Sequence, residues 1–225
     1  MRKMLLPALL SALASVAAAQ PLPTASEILK QIATAYSSAK EYEIVTTSTG
    51  TTIAGRVLFA FRKPNSYKMD GDDPDFEKDD GSFNPIVLVH DGTALWLYRP
   101  KSKDYVSFTG RDIRDDLKPE AMDEAAIGRF KRAAELPGIA KVVRADSTEI
   151  AGAKVDCYVL TVPVSTASEG MVEYTWWVEK KTNHVVREDR AGSSVLFSTV
   201  KLNEPLPDDL FKFTPPAGTR QMGGK

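Results

Sequence analysis

The chain carries one cysteine in 225 residues, so an internal disulfide is excluded. Histidine is almost as scarce. His90 and His184 are the only two, and they are too far apart to read as a zinc-ligand pair. No G-x-S-x-G elbow, P-loop or G-x-G-x-x-G turn occurs, which removes the common signatures of hydrolases and nucleotide enzymes. The formal charge is only −1. A general nucleic-acid binder would show a basic footprint, and none is present. Nor is there a polybasic run of the kind that docks on anionic lipid.

Long apolar runs are missing except at the start. Met4 to Ala19 is apolar or small throughout, but short and Ala-rich for a bilayer span. Arg2 and Lys3 precede it, and Ala17-Ala18-Ala19 ends it as an A-x-A cleavage signal. Residues 1–19 are therefore expected to be a cleaved signal peptide, and residues 20–225 the mature domain. No cysteine follows the cleavage site for lipid attachment. The expected product is soluble, periplasmic and monomeric.

With 43% hydrophobic and 26% charged residues, the remainder has the balance of a globular domain with a sizeable core. Thr24 and Glu27 form a capping-box pattern. Ile28, Ile32 and Tyr36 then recur at helical spacing up to about Lys40. The period changes to that of strands over Tyr42–Thr49, Thr52–Arg62 and Ser66–Met69. Ile86–His90 and Ala94–Tyr98 flank Asp91-Gly92-Thr93, a hairpin signal, and Tyr105–Thr109 continues the meander. Met122, Ala126 and Phe130 mark a second helix, over 122–136, stopped by Pro137-Gly138. Strands resume at Lys141–Ile150, Val155–Val162, Met171–Glu179, His184–Asp189 and Ser194–Leu202, with Asn183 as a left-handed turn residue. Hairpin-length connections make neighbouring strands antiparallel. The expected fold class is α+β, a single domain in which a curved antiparallel β-sheet forms an unclosed β-barrel covered by helices.

Candidate chemistry is thin. Cys157 lies inside an apolar strand with no activating base nearby in sequence, so it reads as a small buried hydrophobe. Asp70 to Asp80 holds seven carboxylates, which suits calcium. Counted from Asp70, however, the fifth position is Pro74 and the sixth is Asp75 rather than Gly. A solvated acidic loop is the expectation. No carboxylate pair is singled out by its surroundings, so neither catalysis nor a metal or other cofactor is expected. The aromatics say more. Phe59, Phe61, Trp96, Tyr98, Tyr174, Trp176 and Trp177 all fall in strands, and several strands are apolar on both faces. Pattern alone leaves open a filled core, the commoner outcome, and an apolar ligand cavity.

Taken in order, four segments resemble the LolA/LolB-like superfamily of lipoprotein carriers. They are Phe61-Arg62-Lys63-Pro64-Asn65, Val89-His90-Asp91-Gly92-Thr93-Ala94-Leu95-Trp96-Leu97-Tyr98, the hairpin Trp177-Val178-Glu179-Lys180-Lys181-Thr182-Asn183, and Phe213-Thr214-Pro215-Pro216-Ala217-Gly218. The resemblance implies an unclosed barrel with a helical lid over an apolar cavity. It also implies transport of acylated lipoproteins, or another lipid, between an inner-membrane exporter and an outer-membrane acceptor. Helix 122–136 would be the lid. Val57, Phe59, Phe61, Trp96, Tyr98, Met122, Phe130, Tyr174 and Trp176 are the candidate cavity walls. The basic residue before Pro-Asn controls the lid in such carriers. Here it is Lys63, preceded by Arg62, where the family pattern has Arg. A lipid-sensing regulator that binds a membrane-protein partner, a calcium-assisted hydrolase and a structural protein with a filled interior remain as rivals.

Overall fold

The computed structural model describes residues 22–50, 55–77, 83–136, 140–166 and 170–223. The signal segment falls outside them. Helix α1 spans Ala25–Ser37 and begins as expected: the Thr24 hydroxyl accepts from the Glu27 amide, and the Glu27 carboxylate accepts from the Thr24 amide. Its buried stripe is Ile28, Leu29, Ile32, Ala33 and Tyr36, the i, i+1, i+4, i+5, i+8 spacing of one helix face.

Twelve strands are described. They are β1 (Glu41–Gly50), β2 (Gly55–Arg62), β3 (Ser66–Glu77), β4 (Phe83–Asp91), β5 (Ala94–Arg99), β6 (Asp104–Thr109), β7 (Lys141–Ile150), β8 (Ala153–Thr166), β9 (Gly170–Glu179), β10 (Val185–Arg190), β11 (Ser193–Leu202) and β12 (Arg220–Gln221). They form one sheet in the order β12-β6-β5-β4-β3-β2-β1-β11-β10-β9-β8-β7. Two meanders, β1–β6 and β7–β11, meet where β1 pairs with β11, from Tyr42 opposite Leu202 to Gly50 opposite Ser193. The sheet curves without closing, and α1 and α2 (Pro119–Lys131) cover its concave side. This is the expected α+β architecture, an unclosed antiparallel sheet covered by helices.

Three features differ from the sequence expectation. The third strand does not stop at Met69. Its backbone runs through the acidic residues to Glu77 and pairs with β4, Asp72 opposite Pro85 and Asp73 opposite Asn84. Strand preference is set by what a neighbour offers, and here the β4 backbone outweighs the poor propensity of aspartate. The expected acidic loop is thus in large part a strand, and residues 78–82 lie outside the described ones. The second helix starts and ends earlier than 122–136, with a 3-10 turn over Ala133–Glu135 after it. Finally, Arg220–Gln221 adds a short parallel strand beside β6. Asn183 is left-handed as expected, at φ 59°.

The main core lies on the concave face and includes the α1 stripe, Tyr42, Phe61, Tyr67, Leu95, Phe130, Leu160 and Trp176. Two smaller clusters sit on the opposite face, Cys157 with Val159, Trp177 and Val186, and Ala60 with Leu206 and Phe211. Cys157 is fully buried, and burial pushes its thiol up to about 11. That is the behaviour of a packing residue rather than a nucleophile. Among the described residues no helix is long and apolar enough to cross a membrane.

Candidate functional site

A cavity of about 270 Å³ lies between α2 and the middle of the sheet. Its floor comes from four neighbouring strands: Ile44 and Thr46 of β1, Val57 and Phe59 of β2, Met69 of β3, and Val195 and Phe197 of β11. Its roof is Met122, Ala125, Ala126 and Arg129. That i, i+3, i+4, i+7 series is one face of the helix. Two of the four are alanines, and their short side chains leave the space open. Thr46 and Arg129 are the polar lining residues; the rest are apolar.

Polar clips fasten the roof on opposite sides. The Tyr42 hydroxyl donates to Asp123 Oδ1 at 2.9 Å, and Lys131 pairs with the other oxygen of the same carboxylate. On the far side Arg129 Nε donates to Glu188 Oε2 at 3.1 Å, and the buried Trp176 indole N–H donates to the same oxygen at 2.9 Å. A third contact holds the approach to the helix, where the Tyr67 hydroxyl donates to the Leu117 carbonyl at 2.7 Å. Helix α1 is tied separately, the Tyr36 hydroxyl accepting from the Val185 amide at 3.3 Å. The four pairs that join a helix or its approach to the sheet, Tyr42–Asp123, Tyr67–Leu117, Arg129–Glu188 and Tyr36–Val185, are 50 to 149 residues apart in the chain. No local pattern could have revealed them.

The candidate walls divide accordingly. Val57, Phe59 and Met122 come together in the cavity. Phe61, Phe130 and Trp176 are sealed in the core beside it, each at most 2% exposed, so they support the site without facing its space. Tyr174 sits at the margin of the core, with the Arg190 guanidinium 5.9 Å from its ring centre. Trp96 and Tyr98 are corrected outright. Leu95 and Leu97 of the same strand point into the core, so residues 96 and 98 face the other way. There both rings meet Phe213, at 5.3 and 6.1 Å between centres.

The expected lid control is also corrected. Arg62 lies on the outer face, where its Nε donates to Glu41 at 3.2 Å and its Nη1 to Asp208 at 2.6 Å. A further N–H reaches the Leu206 carbonyl, and the guanidinium lies over the Phe211 ring. Arg62 thus anchors the C-terminal segment. Lys63 is exposed in the β2–β3 turn, and its main-chain N–H donates to the Lys40 carbonyl. The cation that lines the cavity is Arg129, an ordinary helix-surface residue by its sequence position. Among the described residues no group of three or more His, Cys, Asp or Glu side chains is placed to hold a metal ion.

The buried hydroxyls have a measurable consequence. Burial raises Tyr36, Tyr42 and Tyr67 above the usual phenol value, and Cys157 to about 11 from an ordinary 9.0. Each group holds its proton more tightly folded than unfolded. Their contribution is therefore complete below about pH 9 and declines as pH rises past that value. The urea midpoint should fall steadily between pH 9 and 11 at constant salt. A midpoint flat across that window would show that these groups are not buried as described.

No protein-family model matches the sequence. The uncharacterized protein MJ0687 of Methanocaldococcus jannaschii is 27% identical over 207 residues, which is 88% of this chain and 53% of that protein. The chain thus spans about half the length of the curated relative it matches. Among solved structures, LprF from Mycobacterium bovis aligns with a TM-score of 0.57 and 14% identity, covering 87% of this chain and 97% of that one. The lipoprotein LppX of Mycobacterium tuberculosis aligns with a TM-score of 0.51 and 14% identity, covering 82% and 98%. These similarities establish the fold.

Proposed function

We propose that this protein is a soluble extracytoplasmic carrier that takes an acyl chain of a lipoprotein, or of another lipid, into the cavity beneath α2 and transports it toward the outer membrane. The observation that carries the reading is the cavity itself, an apolar space roofed by a clipped helix. Each methylene moved from water into such a space is worth about 0.8 kcal/mol. A chain is therefore held by area, without a dedicated catalytic or metal group. At 270 Å³ the space falls just short of the roughly 300–1,000 Å³ of small-molecule pockets. It admits part of one slender chain as it stands, and a bulkier lipid requires α2 to lift. The clips are largely buried, Glu188 only 7% and Asp123 15% exposed, so lifting α2 has a cost that ligand packing must offset. Loading then replaces helix packing with ligand packing, and release reverses the exchange.

The test is native mass spectrometry of the mature chain purified from a periplasm. A co-purifying lipid mass is expected. A triacylated lipopeptide should displace it, and the deacylated peptide should not. A ligand-free protein indifferent to both would overturn the carrier reading and move a partner-binding role to first place.

A further inference from the structure

A second cavity, of about 510 Å³, opens at the far end of the β4–β6 strands. Its lining is chemically different, with Asn84, Ile86, Arg99, Lys101 and Asp104 among its residues. Strand register shows how it relates to the apolar cavity. Phe197 pairs with Thr46, and Thr46 with Val57. One place beyond the Leu58–Asp70 pair, Val57 meets Gly71, and Gly71 pairs with Ile86. One place beyond the Val87–Tyr98 pair, Ile86 meets Arg99, which pairs with Asp104. Directly opposed residues point to the same face. Phe197, Thr46, Val57, Gly71, Ile86, Arg99 and Asp104 therefore form one row across the concave face. The row is floored by the apolar cavity at one end and by the charged one at the other.

Gly71 is the one residue of this row without a side chain. A Cβ there would stand 2.9 Å from one Val57 methyl and 3.2 Å from the other. The side chain it lacks would wedge between the two spaces. Val57 and Arg99 are three strand spacings apart, about 14 Å. Arg99 Nε donates to Asp104 at 2.7 Å, and Asp104 is its ion-pair partner among the described residues. Its terminal N–H groups stay available in a side chain 41% exposed. Lys101 is exposed beside it, and Arg220 of β12 lies opposite Asp104 in register.

We infer that the two cavities form one amphipathic trough, which binds a single-chain lipid with its tail under α2 and an anionic phosphate headgroup on Arg99 and Lys101. This rests on the carrier reading and adds the headgroup class. A guanidinium suits the role because its planar donors match phosphate oxygens in pairs.

The experiment compares lysophosphatidylglycerol with monoacylglycerol of the same chain, by calorimetry below their micellar concentrations, with glycerol phosphate as a third ligand. The unaltered protein should bind the anionic lipid at least tenfold tighter than the neutral one and should bind glycerol phosphate negligibly. Lys101→Gln and Arg99→Gln should each narrow that gap several-fold while leaving monoacylglycerol affinity within twofold. Lys101→Gln alters an exposed turn residue, so the result does not depend on how the Arg99 variant tolerates an unpaired Asp104. Gly71→Val should weaken the anionic lipid more than the neutral one. Equal affinity for the two lipids, or a gap unchanged by Lys101→Gln and Arg99→Gln, would overturn the trough and leave the carrier reading standing. Tight glycerol phosphate binding would overturn it too, by making the charged pocket an independent anion site. Binding of neither lipid would remove the carrier reading itself.

Discussion

Replacing Phe130 with alanine should destabilise the fold by about 3–5 kcal/mol, the usual cost of deleting a buried phenyl ring. The ring is fully buried and touches three elements at once. Its centre lies 4.8 Å from Tyr36 of α1, 5.3 Å from Trp176 of β9 and 5.8 Å from Phe197 of β11. The contacts are tilted or edge-on, the arrangement aromatic rings favour. No neighbour can collapse into the space without breaking one of them. For a domain of this length the melting temperature should drop by roughly 6–20 °C. Differential scanning calorimetry or urea titration measures it. A loss below about 1 kcal/mol would mean that α2 does not pack on the sheet as described.

Filling the cavity from its roof should have the opposite balance of effects. Ala126→Trp places an indole into the apolar space from the helix face that already points there. The added bulk enters a void rather than a packed core, so the usual overpacking cost of about 1–3 kcal/mol should fall to about 1 kcal/mol or less. Ligand affinity should collapse. Displacing about four methylenes of a bound chain forfeits about 3 kcal/mol, a factor of roughly 200 in the dissociation constant. Acyl-chain affinity and thermal stability measured on one sample separate the two effects. Unchanged affinity in a folded variant would show that the acyl chain binds elsewhere.

Local chemistry made much of the fold legible. The Thr24–Glu27 box marked the start of α1, and the Asp91-Gly92-Thr93 turn marked the β4–β5 hairpin. What failed was the choice of face. In Leu95-Trp96-Leu97-Tyr98 both faces are apolar, so a period of two cannot say which side meets the core. Only the register with β4 and β6, and the return of Phe213 to the outer face, decide it. Arg62 was misplaced for a related reason. It precedes Lys63 in a motif whose resemblance pointed to lid control, yet Asp208 and Leu206, which capture it, lie more than 140 residues away. Arg129 went unnoticed because a single arginine on a helix is a commonplace surface residue. Its role follows from Glu188, itself held by Trp176. Of the nine candidate walls, the three that reach the cavity lie on β2 and α2, the elements whose apolar spacing was clearest.

The pairing of β1 with β11 carries a consequence for the life of the chain before it is folded. The strand at the centre of the sheet is the first to leave the ribosome, and its partner on one side is nearly the last, with Tyr42 waiting for Leu202. Pairing so distant in sequence is slow to form, because the intervening loop must close first. Until then one edge of β1 has no neighbour, and its backbone donors and acceptors invite strands from other chains. Synthesis must therefore be all but finished before the sheet can be stitched together. A polypeptide that crosses a membrane unfolded loses nothing by this delay, and one that had to fold as it emerged would be at risk of aggregation throughout.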